Sequence, residues 1–137
     1  MQEVLELIKT KKFRLTKPRK QIIEYIWGSD QPVSPVQIAS SLRASVDKAT
    51  VYRTLEFLVD LKLIESNVYE DKIVRYEKTI DKHHHHLVCK NCGSIEHIAS
   101  KRLEKHLKLR QLALSKRHSF TVTDHVLEFY GKCRNCK

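Results

Sequence analysis

The cysteines of this chain form two pairs of equal spacing, and this pattern constrains the fold more than any other sequence feature. Cys89 and Cys92 form one pair, and Cys133 and Cys136 form the other. Each pair can offer two thiolates to one side of a tetrahedral metal ion, and two pairs together close the site. A closed thiolate site leaves no position for a substrate, so it has a structural role. We therefore expect a zinc ion that ties residues 133–136 back to the segment around Cys89.

Other interpretations of the cysteines have less support. The N-terminal segment carries acidic residues and no long apolar core, so we expect no secretory signal. No apolar run reaches the length of about 18 residues that a membrane span needs. We expect a cytoplasmic protein, in which cysteines stay reduced and disulfides are disfavoured. Neither pair lies in the βαβ context of a thioredoxin-like redox motif.

A run of histidines, residues 83–86, stands just before the first cysteine pair. Residues 85–88 have the pattern of a strand, in which successive side chains point to opposite faces of the sheet. His83 and His85 should therefore face one way and His84 and His86 the other, so that the run serves two sites. A purification tag is the competing interpretation, although tags are usually terminal and longer. Position alone does not choose among the remaining candidate ligands, which are Glu77, Asp81, Glu96, His97, Glu104, His106, His118 and His125.

The charge of the chain is strongly basic. It carries 26 Lys and Arg against 16 Asp and Glu, a formal net charge of +10 at pH 7. This balance favours nucleic acid or another polyanion as a partner. One basic run lies within residues 9–20 and a second within residues 101–117. An ordinary solvated helix face is the alternative interpretation of each run.

Residues 1–78 have the pattern of helices followed by a hairpin. Thr16 with Pro18, and a capping box that begins at Ser34, mark two helix starts. Asp47 or Ser45 caps a third helix, after which residues 66–69 and 73–77 form short strands around a polar turn. Three helices followed by a two-stranded hairpin are typical of a winged helix-turn-helix domain.

The helix that begins at Lys48 is the candidate recognition helix. Its apolar stripe leaves Thr50, Tyr52 and Arg53 near the exposed N-terminal end. A recognition helix contacts base edges and phosphates with this end, and arginine can bind guanine or phosphate. An ordinary amphipathic helix is the alternative.

The second half predicts a small mixed domain. Residues 79–82 would form a hinge, and residues 83–137 a metal-binding domain. Its strands are predicted at residues 85–88 and 95–98, on either side of the first cysteine pair. A helix is predicted at residues 101–114, with Leu103, Leu107 and Leu114 facing inward, and residues 119–123 and 125–130 are strand-like. The expected fold class is therefore α+β, with a winged-helix domain at residues 1–78.

The chain resembles the ferric uptake regulator (Fur) family in three segments: Ala49-Thr50-Val51-Tyr52-Arg53-Thr54-Leu55, the histidine run leading into Cys89-x-x-Cys92-Gly93, and Cys133-x-x-Cys136. A fourth segment, Phe13-Arg14-Leu15-Thr16-Lys17-Pro18-Arg19, is similar to the family's stretch at the start of the second helix. The resemblance implies a non-enzymatic, metal-dependent repressor that controls metal-homeostasis genes, with iron as the first candidate signal. It implies that the chain binds double-stranded DNA with a palindromic operator as a homodimer, and that residues 83–137 form the α/β dimerisation domain.

The resemblance also assigns roles to individual residues. The structural zinc ligands correspond to Cys89, Cys92, Cys133 and Cys136. A regulatory site for Fe²⁺, Zn²⁺ or Mn²⁺ corresponds to Glu77, His84, His86 and His97. An additional metal site corresponds to His83, His85, Glu104 and His125. The expected DNA contacts are Arg14, Lys17, Arg19, Thr50, Tyr52 and Arg53.

Two positions depart from the family pattern. Gln31 stands where many members have a histidine from the DNA-binding domain, and His97 stands where an acidic residue is common. A set of Glu77 with three histidines suits tetrahedral zinc better than an oxygen-rich octahedral ion. A zinc-, manganese- or peroxide-responsive member of the family is therefore the alternative to an iron-responsive one.

Two remote hypotheses assign the chain to different functional classes. A zinc hydrolase would need an open coordination position and a placed base, and the sequence has no HExxH motif and only three glycines. A metal-storage module without DNA binding would not need the predicted recognition helix.

Overall fold

The structure, a computed structural model, describes residues 2–11, 13–79 and 84–137. The chain divides into two units, Met1–Ile80 and Asp81–Lys137. The division falls at the predicted hinge, of which residues 80–82 lie outside the described residues, as does His83. In the described part of the chain, no helix is both long and apolar enough to cross a membrane.

Helices precede a hairpin in the N-terminal unit, as the sequence predicts for a winged helix-turn-helix. Its elements are α1 (Gln2–Thr10), α2 (Lys17–Gly28), α3 (Pro35–Ser41), α4 (Lys48–Asp60), β1 (Ile64–Val68) and β2 (Val74–Lys78). The predicted caps are present. Thr16 Oγ1 accepts from Arg19 N, and Ser34 forms a capping box with Gln37. Asp47, not Ser45, caps α4, since its carboxylate accepts from Thr50 N at 2.9 Å.

One apolar core holds this unit together. The helices place aliphatic residues three and four positions apart, and these stripes meet in the interior. The buried core residues are Ile8, Ile22, Ile23, Ile26, Val33, Ile38, Val46, Val51, Leu55, Leu58 and Ile64. The hairpin is tied to the helices by its own backbone, because Val33 and Tyr76 exchange two hydrogen bonds of 2.9 and 2.8 Å.

A charged pair orders the tip of the hairpin, where β1 and β2 pair in antiparallel register. Arg75 donates two hydrogen bonds, of 3.0 and 2.6 Å, to the carboxylate of Asp71. The same carboxylate accepts from Ile73 N, and Lys72 has a positive φ of 59°. The turn therefore has a defined shape without a glycine.

The C-terminal unit is a three-stranded sheet with one long helix. Its elements are β3 (His85–Cys89), β4 (Ile95–Ile98), α5 (Lys101–His118), β5 (Glu128–Gly131) and a 3₁₀ turn (Arg134–Cys136). The strand order is β4-β3-β5, so β3 is central; it pairs antiparallel with β4 and parallel with β5. A parallel pair needs a crossover connection, and α5 supplies it. The two units together confirm the α+β class.

Parts of the prediction for the C-terminal unit were wrong. Helix α5 ends at His118 rather than at residue 114, because Lys116, Arg117 and His118 place positive charge on its last turn, where the helix dipole favours it. Leu114 is half exposed and does not face inward. Residues 119–123 form no strand, since Ser115 accepts hydrogen bonds from Phe120 N and Val122 N and holds the segment against the helix end. The last strand begins only at Glu128.

The cap of α4 makes the stability of the N-terminal unit depend on pH. Hydrogen bonds from the Thr50 side chain and backbone lower the pKa of Asp47 from its ordinary 3.8. A carboxyl group with a lowered pKa stabilises the fold above its unfolded-state pKa, and this contribution is lost as pH falls through the folded-state value. Asp47→Ala should therefore destabilise the unit at pH 7, and the difference from wild type should shrink as pH falls towards 3.

Urea unfolding followed by the fluorescence of Trp27, the single tryptophan, measures this difference. Asp30→Ala, which removes an exposed carboxylate that caps no helix, is the control. A difference between wild type and Asp47→Ala that stays constant over the acidic range would contradict the role of the ionised cap.

Candidate metal centres and DNA-binding surface

The four cysteines converge on one point of the C-terminal unit. Their Sγ atoms all lie within 4.8 Å of one another, and none forms a disulfide. Cys89 ends β3, while Cys133 immediately precedes the 3₁₀ turn after β5 and Cys136 is its last residue. Cys133 N donates to Cys89 Sγ at 3.3 Å, and Cys92 Sγ lies 3.7 Å from Cys133 Sγ. Four sulfur ligands at this spacing fit a closed tetrahedral zinc site.

The electrostatics of this cluster favour a cation at its centre. Backbone N–H groups, first that of Cys133 and then those of Cys92 and Asn91, lower the pKa of Cys89 from 9.0 to about 6. The Cys136 side chain, together with burial, raises the pKa of Cys133 to about 12. The thiols of the cluster therefore do not all ionise together in the absence of a cation. A bound Zn²⁺ would supply the positive charge that lets all four ionise.

Three histidines form a second cluster on the β3–β4 side of the unit. His86 of β3 and His97 of β4 are register partners, and His84 immediately precedes β3. Their ring centroids are 4.8 to 5.2 Å apart, and their ligand atoms lie within 4.8 Å of one another. His86 is buried and His97 is exposed. The arrangement can present three imidazole nitrogens to one ion.

The fourth predicted ligand of this cluster, Glu77, belongs to β2 of the N-terminal unit. Its side chain is buried, and Oε1 accepts a hydrogen bond of 2.8 Å from Asn67 Nδ2 on β1. Asn67 therefore fixes one carboxylate oxygen of Glu77. Gln31, the other position of interest in this unit, lies in the connection between α2 and α3.

A third cluster lies on the opposite face of β3. His85 Nε2 is 2.6 Å from Glu104 Oε1, and His125 Nε2 is 3.7 Å from the same oxygen. Their ligand atoms lie within 4.8 Å of one another. The strand period separates His85 from His84 and His86, as alternation predicts. His83, the remaining residue of this set, lies outside the described residues.

Sequence reasoning missed one polar residue of the third cluster, Gln111. Its Nε2 lies 3.1 Å from His125 Nδ1, the ring nitrogen that is not directed at Glu104, so Gln111 fixes the orientation of the imidazole. The sequence could have indicated Gln111, because it follows Glu104 by two helical turns on α5 and therefore lies on the same face of the helix.

The exposed end of α4 carries a connected set of polar side chains. Thr50 Oγ1 donates to Asp47 Oδ2 at 2.5 Å and accepts from Arg53 Nη2 at 3.3 Å. Lys48 Nζ lies 6.0 Å from the centre of the Tyr52 ring. Tyr52 and Arg53 are exposed, whereas Thr50 is half-buried and engaged by its neighbours. Tyr52 and Arg53 can therefore reach a partner, and Thr50 orients Arg53.

The basic residues before and within α2 fall into two groups. Arg14 and Lys17 are exposed. Arg19 is half-buried: its Nη1 donates to Arg14 O at 2.7 Å, and its guanidinium lies 4.2 Å from the centre of the Phe57 ring. Of these three basic residues, Arg14 and Lys17 are thus open to a polyanion, and Arg19 is engaged within the unit.

Comparison with known proteins agrees with this arrangement. The sequence model described as "Ferric uptake regulator family" matches residues 10–130. The Ferric uptake regulation protein of Campylobacter jejuni subsp. jejuni serotype O:2 is 30% identical over 128 residues, which cover 90% of this chain and 79% of that protein. The Peroxide operon regulator of Bacillus subtilis (strain 168) is 30% identical over 139 residues, covering 99% and 92%.

A solved structure shares the fold of the described chain. The Helicobacter pylori ferric uptake regulator Fur, which has three functional metal binding sites, superimposes with a TM-score of 0.77 at 25% identity. The match covers 98% of this chain and 89% of that one. With the family match extending over residues 10–130, these likenesses establish that the chain belongs to the ferric uptake regulator family.

Proposed function

We propose that this chain is a repressor that binds a palindromic operator as a homodimer when His84, His86, His97 and Glu77 hold a divalent metal ion. Membership of the family makes the chain a metal-dependent DNA-binding regulator and not an enzyme. The observation that carries the sensor assignment is the gathering of three imidazoles within 4.8 Å, apart from the closed cysteine cluster. We place the protein in the cytoplasm, where its operator is accessible.

The cysteine cluster and the histidine cluster suit different tasks. The cysteines offer four thiolates, which fill the coordination shell of a bound zinc ion, so this ion should not exchange with metal in solution. The histidine cluster offers neutral donors, one of them exposed at His97, and such a site loads and unloads with the free metal concentration. We therefore assign structure to the first cluster and sensing to the second.

Glu77 gives the sensor its link to DNA binding. It is the one proposed ligand that belongs to the N-terminal unit, and Asn67 of the hairpin holds its carboxylate. A shared metal would restrict the motion between the units and so fix the spacing of two winged helices in a dimer. By linkage, DNA binding must raise the metal affinity by the same factor as metal raises the DNA affinity.

Fe²⁺ is the first candidate signal, because the family relatives named above include a ferric uptake regulation protein. Zn²⁺ is the second candidate, since three imidazoles form a nitrogen-rich set. Mn²⁺ and peroxide are two further candidate signals within the family. Operator binding, measured at buffered free concentrations of each metal and with and without peroxide, decides among the four.

We assign His85, Glu104 and His125 to an additional metal site, in which His83 is the remaining predicted ligand. A carboxylate oxygen 2.6 Å from one imidazole and 3.7 Å from another supports this assignment. Gln111 would hold the His125 ring in place at this site.

Cys89→Ser should prevent the C-terminal unit from folding, because metal binding and folding are coupled in small closed sites. We expect loss of stoichiometric zinc and rapid proteolysis of residues 84–137, while the N-terminal unit keeps its cooperative unfolding transition. Metal analysis and limited proteolysis measure both effects. Asn91→Ala, an exposed change between the ligands, is the control and should retain zinc. A folded, protease-resistant C-terminal unit in Cys89→Ser would refute the structural assignment.

His97→Ala should uncouple DNA binding from metal while the fold survives, because His97 is an exposed residue and a proposed ligand of the sensor. With a DNA duplex that the wild-type chain selects from a random-sequence pool, we expect metal to raise wild-type affinity about tenfold or more. The variant should show little of this increase. His106→Ala, an exposed histidine outside the clusters, is the control. A full metal response in His97→Ala would remove His97 from the sensor.

Arg53→Ala should weaken binding to the selected duplex by about tenfold or more and relax base preference at one position of each half-site. Arg102→Ala, which removes an exposed cation from α5, should change affinity by less than about twofold. Fluorescence anisotropy over a series of duplex variants measures both. Equal effects of the two substitutions would mean that net charge alone drives binding.

A further inference from the structure

The aromatic ring of Phe57 joins the recognition helix to the segment that precedes α2. The guanidinium of Arg19 lies 4.2 Å from the centre of this ring, a distance typical of a cation–π contact. The Phe13 ring meets the same ring edge-on, with centroids 4.9 Å apart and an interplanar angle of 78°. Arg19, Phe57 and Phe13 thus form one stack, which we call the α2–α4 stack.

Arg19 is committed to this stack by further contacts. Its Nη1 donates to Arg14 O at 2.7 Å, and its backbone N donates to the Thr16 hydroxyl at 3.4 Å. Its Nε is buried and has no hydrogen-bond partner among the residues that the structure describes. The side chain is therefore inserted between the main chain of Arg14 and the face of Phe57.

The α2–α4 stack connects two parts of the proposed DNA-binding surface. Phe57 lies one helical turn after Arg53 on α4, and Arg14 is held through its carbonyl oxygen. The backbone that carries the exposed Arg14 side chain is thereby held in place relative to α4. A lysine at position 19 would keep the charge but could not both cover the ring and donate sideways, because it lacks the planar guanidinium.

We propose that Arg19 and Phe57 are positioning residues for operator binding, which set the place of Arg14 relative to Arg53. The proposal rests on the assignment of α4 as the recognition helix. Phe57 is half-buried and its ring contacts Arg19 and Phe13, so we expect it to change DNA affinity through the position of these neighbours. Arg19 acts in the same way, through the stack and the Arg14 carbonyl.

The test is a double-mutant cycle with Phe57→Leu, Arg19→Lys and the two combined, all with saturating metal and the selected duplex. We expect each single variant to lose about tenfold in affinity, and the double variant to lose no more than either single one. The single variant Phe57→Tyr, which keeps the aromatic ring, should retain wild-type DNA affinity. Urea unfolding shows that each variant is folded under the binding conditions.

Wild-type affinity in Phe57→Leu would overturn the proposal. Additive losses of DNA affinity in the double variant would also overturn it, and so would wild-type affinity in Arg19→Lys. Either result would assign Arg19 to a direct phosphate contact. Amide hydrogen exchange without DNA tests the stack separately: Phe57→Leu should speed exchange at Phe13 N, which donates to Ile8 O at 3.2 Å. If wild type selects no duplex, the proposed function fails, whereas unchanged exchange in Phe57→Leu rejects the stack alone.

Discussion

The register of β3 is the constraint on which the C-terminal unit depends. Because side chains alternate along a strand, a slip of one residue would exchange the faces of His85 and His86. The cysteine cluster prevents this slip, since Cys89 at the end of β3 meets Cys133 just beyond β5, and β5 pairs with β3 in parallel. Closing the cluster therefore decides which histidines lie beside His97 and which lie beside Glu104.

The same constraint explains why one short strand serves three clusters without mixing them. The thiolate cluster takes the end of β3, and the two histidine clusters take its two faces. Each cluster has a different donor set and a different exposure, so we expect each to exchange a bound metal ion at a different rate. In our proposal Glu77 of the N-terminal unit is a ligand of the sensor alone, so we expect only the metal ion in the sensor to act on the winged helix.

Local signals made much of this structure predictable. The caps at Thr16 and Ser34 and the alternation of residues 84–86 follow from short-range rules, and the structure contains them. The strand expected at residues 119–123 was wrong because Ser115 accepts hydrogen bonds from Phe120 N and Val122 N, contacts that no strand pattern reveals. The stacking of Arg19 on Phe57 was missed because the two residues are distant in sequence and share no period. Such contacts depend on how helices pack, which the sequence pattern does not specify.

We propose that closed and exchangeable metal sites coexist in this one chain, with different tasks. Metal analysis of the purified protein before and after dialysis against a mild chelator tests it most directly. We expect one zinc ion per chain to survive dialysis, while the exchangeable metal is removed and can be restored together with DNA binding. Loss of all metal with the fold intact, or DNA binding that is unchanged after the exchangeable metal is removed, would contradict it.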